Sequence, residues 1–481
     1  MLFRPLGRGL LHKVGLLNSL KKSSLRALAC GCVLALALTA PAGLYAQTSN
    51  PFQGSVSVGQ ATSEPLALSL DEAITRGLRN NLGVILSSQQ MAAARGQRLS
   101  QLQALLPAVD AKGQESVLQV DLPAEGMRIT GFPTTLGPFG YTDVRASLSW
   151  SLVDVASLRN YLAARHNFNA AQLSADDAHD LVVLTVGNAY LLVLADETRI
   201  ESVEAQAATA KVSLDQAAAN HAAGTAPLID ELRARVDAQS IDQQLIVARN
   251  NLAKDKIALA RAIGLPLDQQ ITLSDKAPYA IFDQIDVDEA IHQAKVNRKD
   301  LASFVEKAQA ATEQRKAATA ARLPTLTFNG DYGDTGTTLG HSHGTGSATG
   351  TVSVPLFREF ALRGQAQQAQ AQLDEAKAQT SDATAQVDAD VRDALLDIAA
   401  AQKQVEVARS SVELSQEALS EAQQRYANGV SDNLAVSQAQ QSVAQANDQL
   451  VASLYRHNMA KLSLARALGA GAQYKNYLGG K

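Results

Sequence analysis

The chain contains two copies of one unit, and this internal repeat limits its possible folds more than any other feature. Ser69-Leu-Asp-Glu-Ala-Ile74 recurs 217 residues later as Asp286-Val-Asp-Glu-Ala-Ile291, and Leu106-Pro107 recurs at the same spacing as Leu323-Pro324. Further on the spacing is 205, because Gly224 matches Gly429 and Ala260-Arg-Ala-Ile-Gly264 matches Ala465-Arg-Ala-Leu-Gly469. Several matches at two constant spacings indicate a duplication. The change of spacing predicts a shorter strand pair and loop in the second copy.

Each copy predicts the same order of elements. A short helix with an acidic first turn is followed by a second helix that ends at Leu-Pro, a β-hairpin, and two long helices joined by a turn with glycine. The predicted ranges are an export signal at 1–46, an extension at 47–68, a first repeat at 69–264, a linker at 265–285, a second repeat at 286–469 and a tail at 470–481. The hairpins are expected at about 108–153 and 325–357, and the turns at about 222–227 and 427–432.

Heptad spacing predicts that the long helices pair as coiled coils. Val391, Ile398 and Val405 continue at intervals of seven through Tyr426, and small residues follow three positions after most of them. A large residue at one seam position and a small one at the other is typical of close helix packing. The helix from about Asp154 to His221 would be about 100 Å long.

The predicted strands alternate between apolar and small polar residues. The apolar positions that we predict to face lipid are Val144, Leu148, Trp150, Leu152, Leu326, Phe328, Val352 and Val354. Such alternation suits a membrane barrel, although a half-buried soluble sheet gives the same pattern. Glu115 interrupts the first strand, so we expect a bulge or the membrane edge near it.

The N-terminus favours the membrane interpretation. Six basic residues precede an apolar run at residues 27–42, and Leu44-Tyr45-Ala46 resembles a cleavage site. The uncharged segment 181–195 is too short to span a bilayer and is interpreted as a packed helical segment. A membrane crossing would therefore use strands. Four strands cannot close a barrel, so the chain would need copies of itself.

Composition excludes several other functions. The formal net charge of −4 does not favour nucleic acid as a partner. Both cysteines, Cys30 and Cys32, lie in the predicted signal, which excludes thiol chemistry in the mature chain. His341 and His343 are interpreted as loop residues rather than metal ligands, and His221 and His457 as packing residues. Catalytic and nucleotide-binding motifs are missing from the sequence, so we predict neither enzymatic activity nor a cofactor.

These motifs resemble those of the TolC-like outer-membrane efflux proteins. The shared pieces are Leu-Asp-Glu-Ala, the Leu-Pro before each hairpin, Pro355-Leu356-Phe357 after the second hairpin, and Tyr426-Ala-Asn-Gly429 at the helical turn. The resemblance implies a homotrimer in which twelve strands form an outer-membrane barrel and long helices form a periplasmic α-barrel. It also implies a passive exit duct that docks a periplasmic adaptor and an inner-membrane pump of the RND or ABC type.

The resemblance also implies a gate near the two helical turns. Its candidate gate and docking residues are Gly224, Asp230, Glu231, Tyr426, Gly429 and Ser431. Ser431 stands where the family has an arginine, and the acidic ring of some members falls on Ala435 and Gln438. Asp230 and Glu231 could supply acidity instead, or could simply stabilise a helix start.

Two alternative functions remain open on the sequence alone. One keeps the fold and makes the chain the exit duct of a type I protein-secretion system. The other is a soluble periplasmic coiled-coil scaffold whose hairpins pack against each other.

Overall fold

The computed structural model describes residues 50–275, 279–282, 285–428, 430–431 and 433–478. The predicted export signal, Gly429 and the end of the predicted tail lie outside the described residues. The first repeat contains β1 Leu66–Leu68, α1 Leu70–Asn80, α2 Leu82–Gln103, β2 Ala108–Asp121, β3 Thr135–Val153, α3 Val155–Ala222 and α4 Leu228–Ile263. The second repeat contains β4 Ile271–Leu273, α5 Val287–Asn297, α6 Lys299–Ala320, β5 Thr325–Gly336, β6 Ser342–Ser353, α7 Glu359–Ala427 and α8 Asn433–Ala467, and α9 Tyr474–Leu478 follows it. This order confirms the predicted duplicated helix–hairpin–helix architecture.

The helices of the two repeats begin and end with equivalent capping residues. Ser69 accepts a hydrogen bond from the Glu72 amide at 3.2 Å, and Asp286 accepts one from the Glu289 amide at 3.1 Å. These side chains satisfy amides that have no partner within a first helical turn. At the other end, Gly264 has φ 80° and Gly469 has φ 68°. A left-handed residue at this position terminates a helix and favours glycine.

Two coiled coils are the longest parts of the fold. The first coil is α3 with α4, and the second coil is α7 with α8. The helix α3 has 68 residues and α7 has 69, so each is about 100 Å long. The predicted start of α3 is confirmed, since the Asp154 carboxylate accepts a hydrogen bond from the Ser157 amide at 3.0 Å.

The predicted heptad seam is buried along only part of its length. Val391, Ile398 and Val405 are buried, whereas Val412 and Leu419 are only half-buried. The coils therefore pack tightly near the shorter helices and more loosely toward the turns. A groove of about 600 Å³ lies between them at the looser end.

The apolar segment 181–195 belongs to the main core of the first repeat. Its eighteen-residue neighbourhood in α3 is apolar enough to cross a membrane by composition, but 56% of that window is buried inside the structure. Val186 and Tyr190 are enclosed, and a Cβ on Gly187 would lie 2.7 Å from Leu462 of α8. The prediction of a packed helical segment is confirmed.

Two short elements join the repeats. β1 and β4 pair in parallel, with Leu66 opposite Ile271. The final helix α9 returns to the first repeat, where Tyr474 and Lys475 both donate hydrogen bonds to Asp71. The strand pair ties the predicted extension to the predicted linker, and the contacts with Asp71 tie the predicted tail to the first helix.

The other four strands form one antiparallel sheet in the order β2-β3-β5-β6. The sequence predicts an outer loop from about Val120 to Tyr141 in the first copy, but strand pairing continues to Asp121 and Thr135, so the loop is shorter. Glu115 pairs regularly with Thr142, and the irregularity near it lies between Leu118 and Val120.

Candidate functional site

The sheet has one apolar face, which the described part of the chain leaves uncovered. Residues that oppose each other in an antiparallel ladder share a face. Leu148 opposes Gly330, Trp150 opposes Phe328, and Leu326 opposes Val352. Trp150 is 39% exposed and Val352 is 66% exposed. Large apolar side chains at this exposure need a partner that is not water.

Most of the predicted lipid-facing residues share this face. Val144, Leu148, Trp150, Leu326, Phe328 and Val352 do so by register. Val354 follows the end of β6. Leu152 lies at the register shift between Ser151 and Val153, so the ladder does not assign it to the apolar face.

The height of the apolar face fits a bilayer. On β5, the distance from Leu326 to Asp334 is about 27 Å along the strand at 3.4 Å per residue. A tilt of 35–45° reduces this to a height of about 20 Å, close to the band of about 25 Å in membrane barrels. Asp334 and Glu115 are the charged residues on this face, and both lie at its outer end.

The opposite face is polar and holds an ionic cluster. The Nε of Arg145 lies 2.7 Å from Oδ1 of Asp143, and its Nη1 lies 2.9 Å from Oδ2 of Asp331. Ser347 of β6 donates a hydrogen bond to the other oxygen of Asp331 at 2.6 Å. We call Asp143, Arg145 and Asp331 the Arg145 triad. Sequence alternation placed its members on the polar face but gave no signal that they touch.

The turn of the first coil is held by one carboxylate. Gly224 adopts φ 75° after α3, and its amide donates to the carbonyl of His221. Glu231 lies 2.8 Å from the Nδ1 of His221 and 2.7 Å from Arg235. The His221–Glu231 contact joins the last turn of α3 to the first turn of α4. Sequence reasoning missed it because the two residues belong to different helices.

Asp230 sits beside this contact in the first turn of α4. It is 8% exposed, and its Oδ1 lies 3.8 Å from Arg233. Its place near a helix start suits a carboxylate, because the amides there carry partial positive charge. In the described part of the chain, no hydrogen bond joins Asp230 to Tyr426.

The turn of the second coil contains the remaining candidates. Tyr426 is half-buried in the last turn of α7, and Ser431 is half-buried just before α8. The Val430 amide donates to the carbonyl of Arg425 at 3.0 Å and closes the helix end. Gly429 lies outside the described residues.

Besides the Arg466–Asp177 pair described below, three polar contacts link the first coil to α8 of the second coil. Ser437 donates a hydrogen bond to Asp237, Gln440 donates to Ser213 at 2.9 Å, and Arg199 lies 3.2 Å from Asp448. We call these the cross-coil contacts. They border or lie close to the groove between the coils, whose lining is rich in Ser, Gln and Asn.

A buried ionic cluster joins the two repeats near the shorter helices. Arg298 lies 2.6 Å from both Asp300 and Asp390, and Arg466 lies 2.6 Å from Asp177. Burial raises the pKa of Asp177 to about 6 in spite of Arg466. Buried charges of this kind require their partners, because removal of one leaves the other unpaired.

A second buried carboxyl lies in the first coil, nearer to its turn. Burial, together with the neighbouring carboxyl of Asp255 in α4, raises the pKa of Asp196 in α3 to about 7. Ionisation of Asp196 is therefore disfavoured in this site.

The histidines occupy structural positions. His457 is fully buried and lies 3.2 Å from the carbonyl of Ala280, which agrees with the packing interpretation. His341 lies 3.1 Å from the hydroxyl of Thr338 in the hairpin loop. His343 lies on β6 rather than in the loop, opposite Thr335.

Comparisons with known proteins agree with this architecture. The family model for outer membrane efflux proteins matches residues 75–265 and 290–470. The solvent efflux pump outer membrane protein SrpC of Pseudomonas putida is 25% identical over 366 residues, which cover 73% of this chain and 77% of that protein.

Solved structures of outer-membrane channels share the fold. The outer membrane protein VceC of Vibrio cholerae superposes with a TM-score of 0.74 at 20% identity, over 83% of this chain and 96% of that chain. The CmeC outer membrane channel of Campylobacter jejuni also gives 0.74, at 19% identity over 88% and 92%. Since the family model spans both repeats, the chain belongs to the outer membrane efflux protein family and is an efflux protein of the outer membrane.

Proposed function

We propose that three copies of the chain form a passive exit duct through the outer membrane. The observation that carries this proposal is the four-stranded sheet with one uncovered apolar face, one polar face, and two edge strands, β2 and β6, that pair on only one side among the described residues. Open edges are not tolerated in lipid, so another copy must supply the next strand. Twelve strands fall within the range of membrane barrels.

The long coils would continue the duct into the periplasm. At about 100 Å they are far longer than a membrane-spanning element needs. We propose that their turns dock a periplasmic adaptor, which connects to an inner-membrane pump of the RND or ABC type. The relative from Pseudomonas putida belongs to a solvent efflux pump, which supports small-molecule cargo over type I protein secretion. Residues 1–46 are proposed to be the export signal.

The turn residues are proposed to shape the docking and gating end. Gly224 permits the first turn, Glu231 holds α3 against α4 through His221, and Asp230 stabilises the start of α4. Gly429 is the candidate at the equivalent position of the second repeat. Tyr426 and Ser431 occupy the corresponding end of the second coil. The cross-coil contacts, farther from the turns, are proposed to hold the two coils together in the closed state.

Three measurements test the duct. The full chain should require detergent for extraction, run as an oligomer that resists SDS until boiled, and give single-channel conductance in planar bilayers. Recovery as a soluble periplasmic monomer would support the scaffold alternative and eliminate the duct.

Adjacent residues on opposite faces test the orientation of the sheet. Leu148→Arg places a cation on the apolar face and should cost about 2–4 kcal/mol near the bilayer midplane. Ser147→Arg places the same cation on the polar face and should leave the oligomer intact. Equal loss of the SDS-resistant oligomer in both variants would contradict the proposed lipid-facing surface.

A further inference from the structure

The polar face of the sheet has an unequal number of positive and negative charges. On the side of the register shift at Leu118 that holds the Arg145 triad, its charged residues in β2, β3 and β5 are Asp110, Lys112, Asp143, Arg145 and Asp331. Asp110 and Lys112 are neighbours on β2 and balance each other. The Arg145 triad has two carboxylates and one guanidinium, so it contributes the net negative charge of this face.

The triad is held in one geometry by the sheet. Arg145 lies opposite Gly333, where even a Cβ would approach the Cβ of Arg145 to 2.4 Å. The absence of a side chain at Gly333 lets the guanidinium lie across β5 and reach Asp331. Ser347 fixes the second oxygen of Asp331 from β6. Three strands therefore position the charges, which are only 20–29% exposed even in the isolated chain.

We propose that the Arg145 triad sets the preference of the duct for cations over anions at the level of the sheet. This inference rests on the proposed function, in which three copies turn their polar faces toward the lumen and form a ring of three triads. Rings of charged side chains are a common source of ion selectivity in pores. At the turns, the positions of the family's acidic ring hold Ala435 and Gln438, which are uncharged. Asp230 and Glu231 face cations of their own chain.

The sign and size of the effect follow from the charges. A fixed charge in a pore with low-dielectric walls concentrates its counter-ion. Arg145→Gln changes the triad from one net negative charge to two, so the potassium-to-chloride permeability ratio should rise about twofold. Asp143→Asn combined with Asp331→Asn leaves one positive charge, so the ratio should fall below that of the wild type.

The test is the zero-current potential of the full-length protein in planar bilayers under a KCl gradient. Asp334→Asn is the matched control, because Asp334 lies on the same strand as Asp331 but shares the apolar face with Val144. Its neutralisation should leave the permeability ratio unchanged. The two triad variants shift the ratio in opposite directions, so either one that assembles as an SDS-resistant oligomer is sufficient.

The outcomes separate the two claims. Conductance with a shifted ratio in a triad variant and an unchanged ratio in Asp334→Asn supports the inference. Conductance with the wild-type ratio in the triad variants overturns the inference and leaves the duct standing. An equal shift in the control overturns the assignment of the faces. A complete lack of conductance in every correctly assembled oligomer, wild type and variants alike, overturns the duct itself.

Discussion

Separation of the two coils within each chain should open the periplasmic end of the duct. The double variant Asp237→Ala, Asp448→Ala removes two cross-coil contacts, those with Ser437 and Arg199. A hydrogen bond to a charged group contributes about 1.5–3 kcal/mol. Arg199 and Asp448 are 49% and 41% exposed, so their ion pair contributes at most about 1 kcal/mol.

These values predict a large change in the closed population. Together the two contacts contribute about 2 kcal/mol per chain, and three chains that open together give about 6 kcal/mol. A two-state equilibrium moves from 1:99 to 99:1 with about 5.5 kcal/mol. A duct that is closed in the wild type should therefore be mostly open in the double variant.

Single-channel recording in planar bilayers measures this change as open probability and conductance. Glu204→Ala is the matched control, because it removes an exposed ion pair with Arg249 that lies within the first coil. That pair does not cross between coils, so its loss should leave the open probability unchanged.

Two results would refute the reasoning. One is a double variant that forms SDS-resistant oligomers but conducts like the wild type. The other is equal opening in Glu204→Ala, which would mean that the loss of any exposed ion pair opens the periplasmic end.

Three further outcomes are expected, each checked by thermal or urea dissociation of the oligomer. Arg298→Ala leaves two partly buried carboxylates without their cation and should cost about 3–5 kcal/mol. Gly187→Val forces a side chain against Leu462 and should cost about 1–3 kcal/mol, whereas Gly96→Ala, with open space around its Cβ, should not destabilise. Asp196 has its pKa raised from 3.8 to about 7, so the folded state binds the proton more tightly and wild-type stability should fall as pH rises from about 4 to about 7. Asp196→Asn should show a smaller fall, because the raised pKa values of Asp177 and Asp180 remain, and an unchanged pH profile in the variant would contradict the prediction.

Local rules recovered much of the fold from the sequence. The Asp154 cap, the proline after each second helix and the terminal Gly264 each act on neighbouring residues, so their effect is readable from a few positions. The strand faces followed from alternation because the side-chain period of a strand is two. The predicted turn at about 222–227 lies between α3 and α4 as expected, because glycine and proline both interrupt the helix there.

Contacts between distant segments could not be read in this way. The β1–β4 pair, the return of Tyr474 to Asp71 and the cross-coil contacts all join residues roughly 200 or more positions apart. Each contact depends on the exact register in which the long helices pack against each other. Heptad spacing does not determine that register to the residue. The contacts within the Arg145 triad could not be predicted for a related reason. Its partners became visible only when register placed Arg145 opposite Gly333.

The duplication also explains why the duct should open at the cross-coil contacts. All three lie within one chain, between the first coil and α8. In a closed ring, α4 of one chain would meet α7 of the next copy, and the repeat spacing of 205 residues identifies the equivalent positions there. Ser437 and Gln440 correspond to Leu232 and Arg235, and Ser213 corresponds to Ala418.

In the proposed trimer, the boundary between copies would therefore not repeat the polar contacts found within a chain. Large apolar side chains are exposed along α4 and α7 instead, among them Val247 and Leu414. Apolar burial tolerates small sliding movements because it is non-directional, whereas a hydrogen bond is lost when its geometry changes. Opening should thus break the contacts inside each chain while the boundaries between chains stay closed. The double variant that acts within one chain is for this reason expected to open the duct without dissociating the trimer.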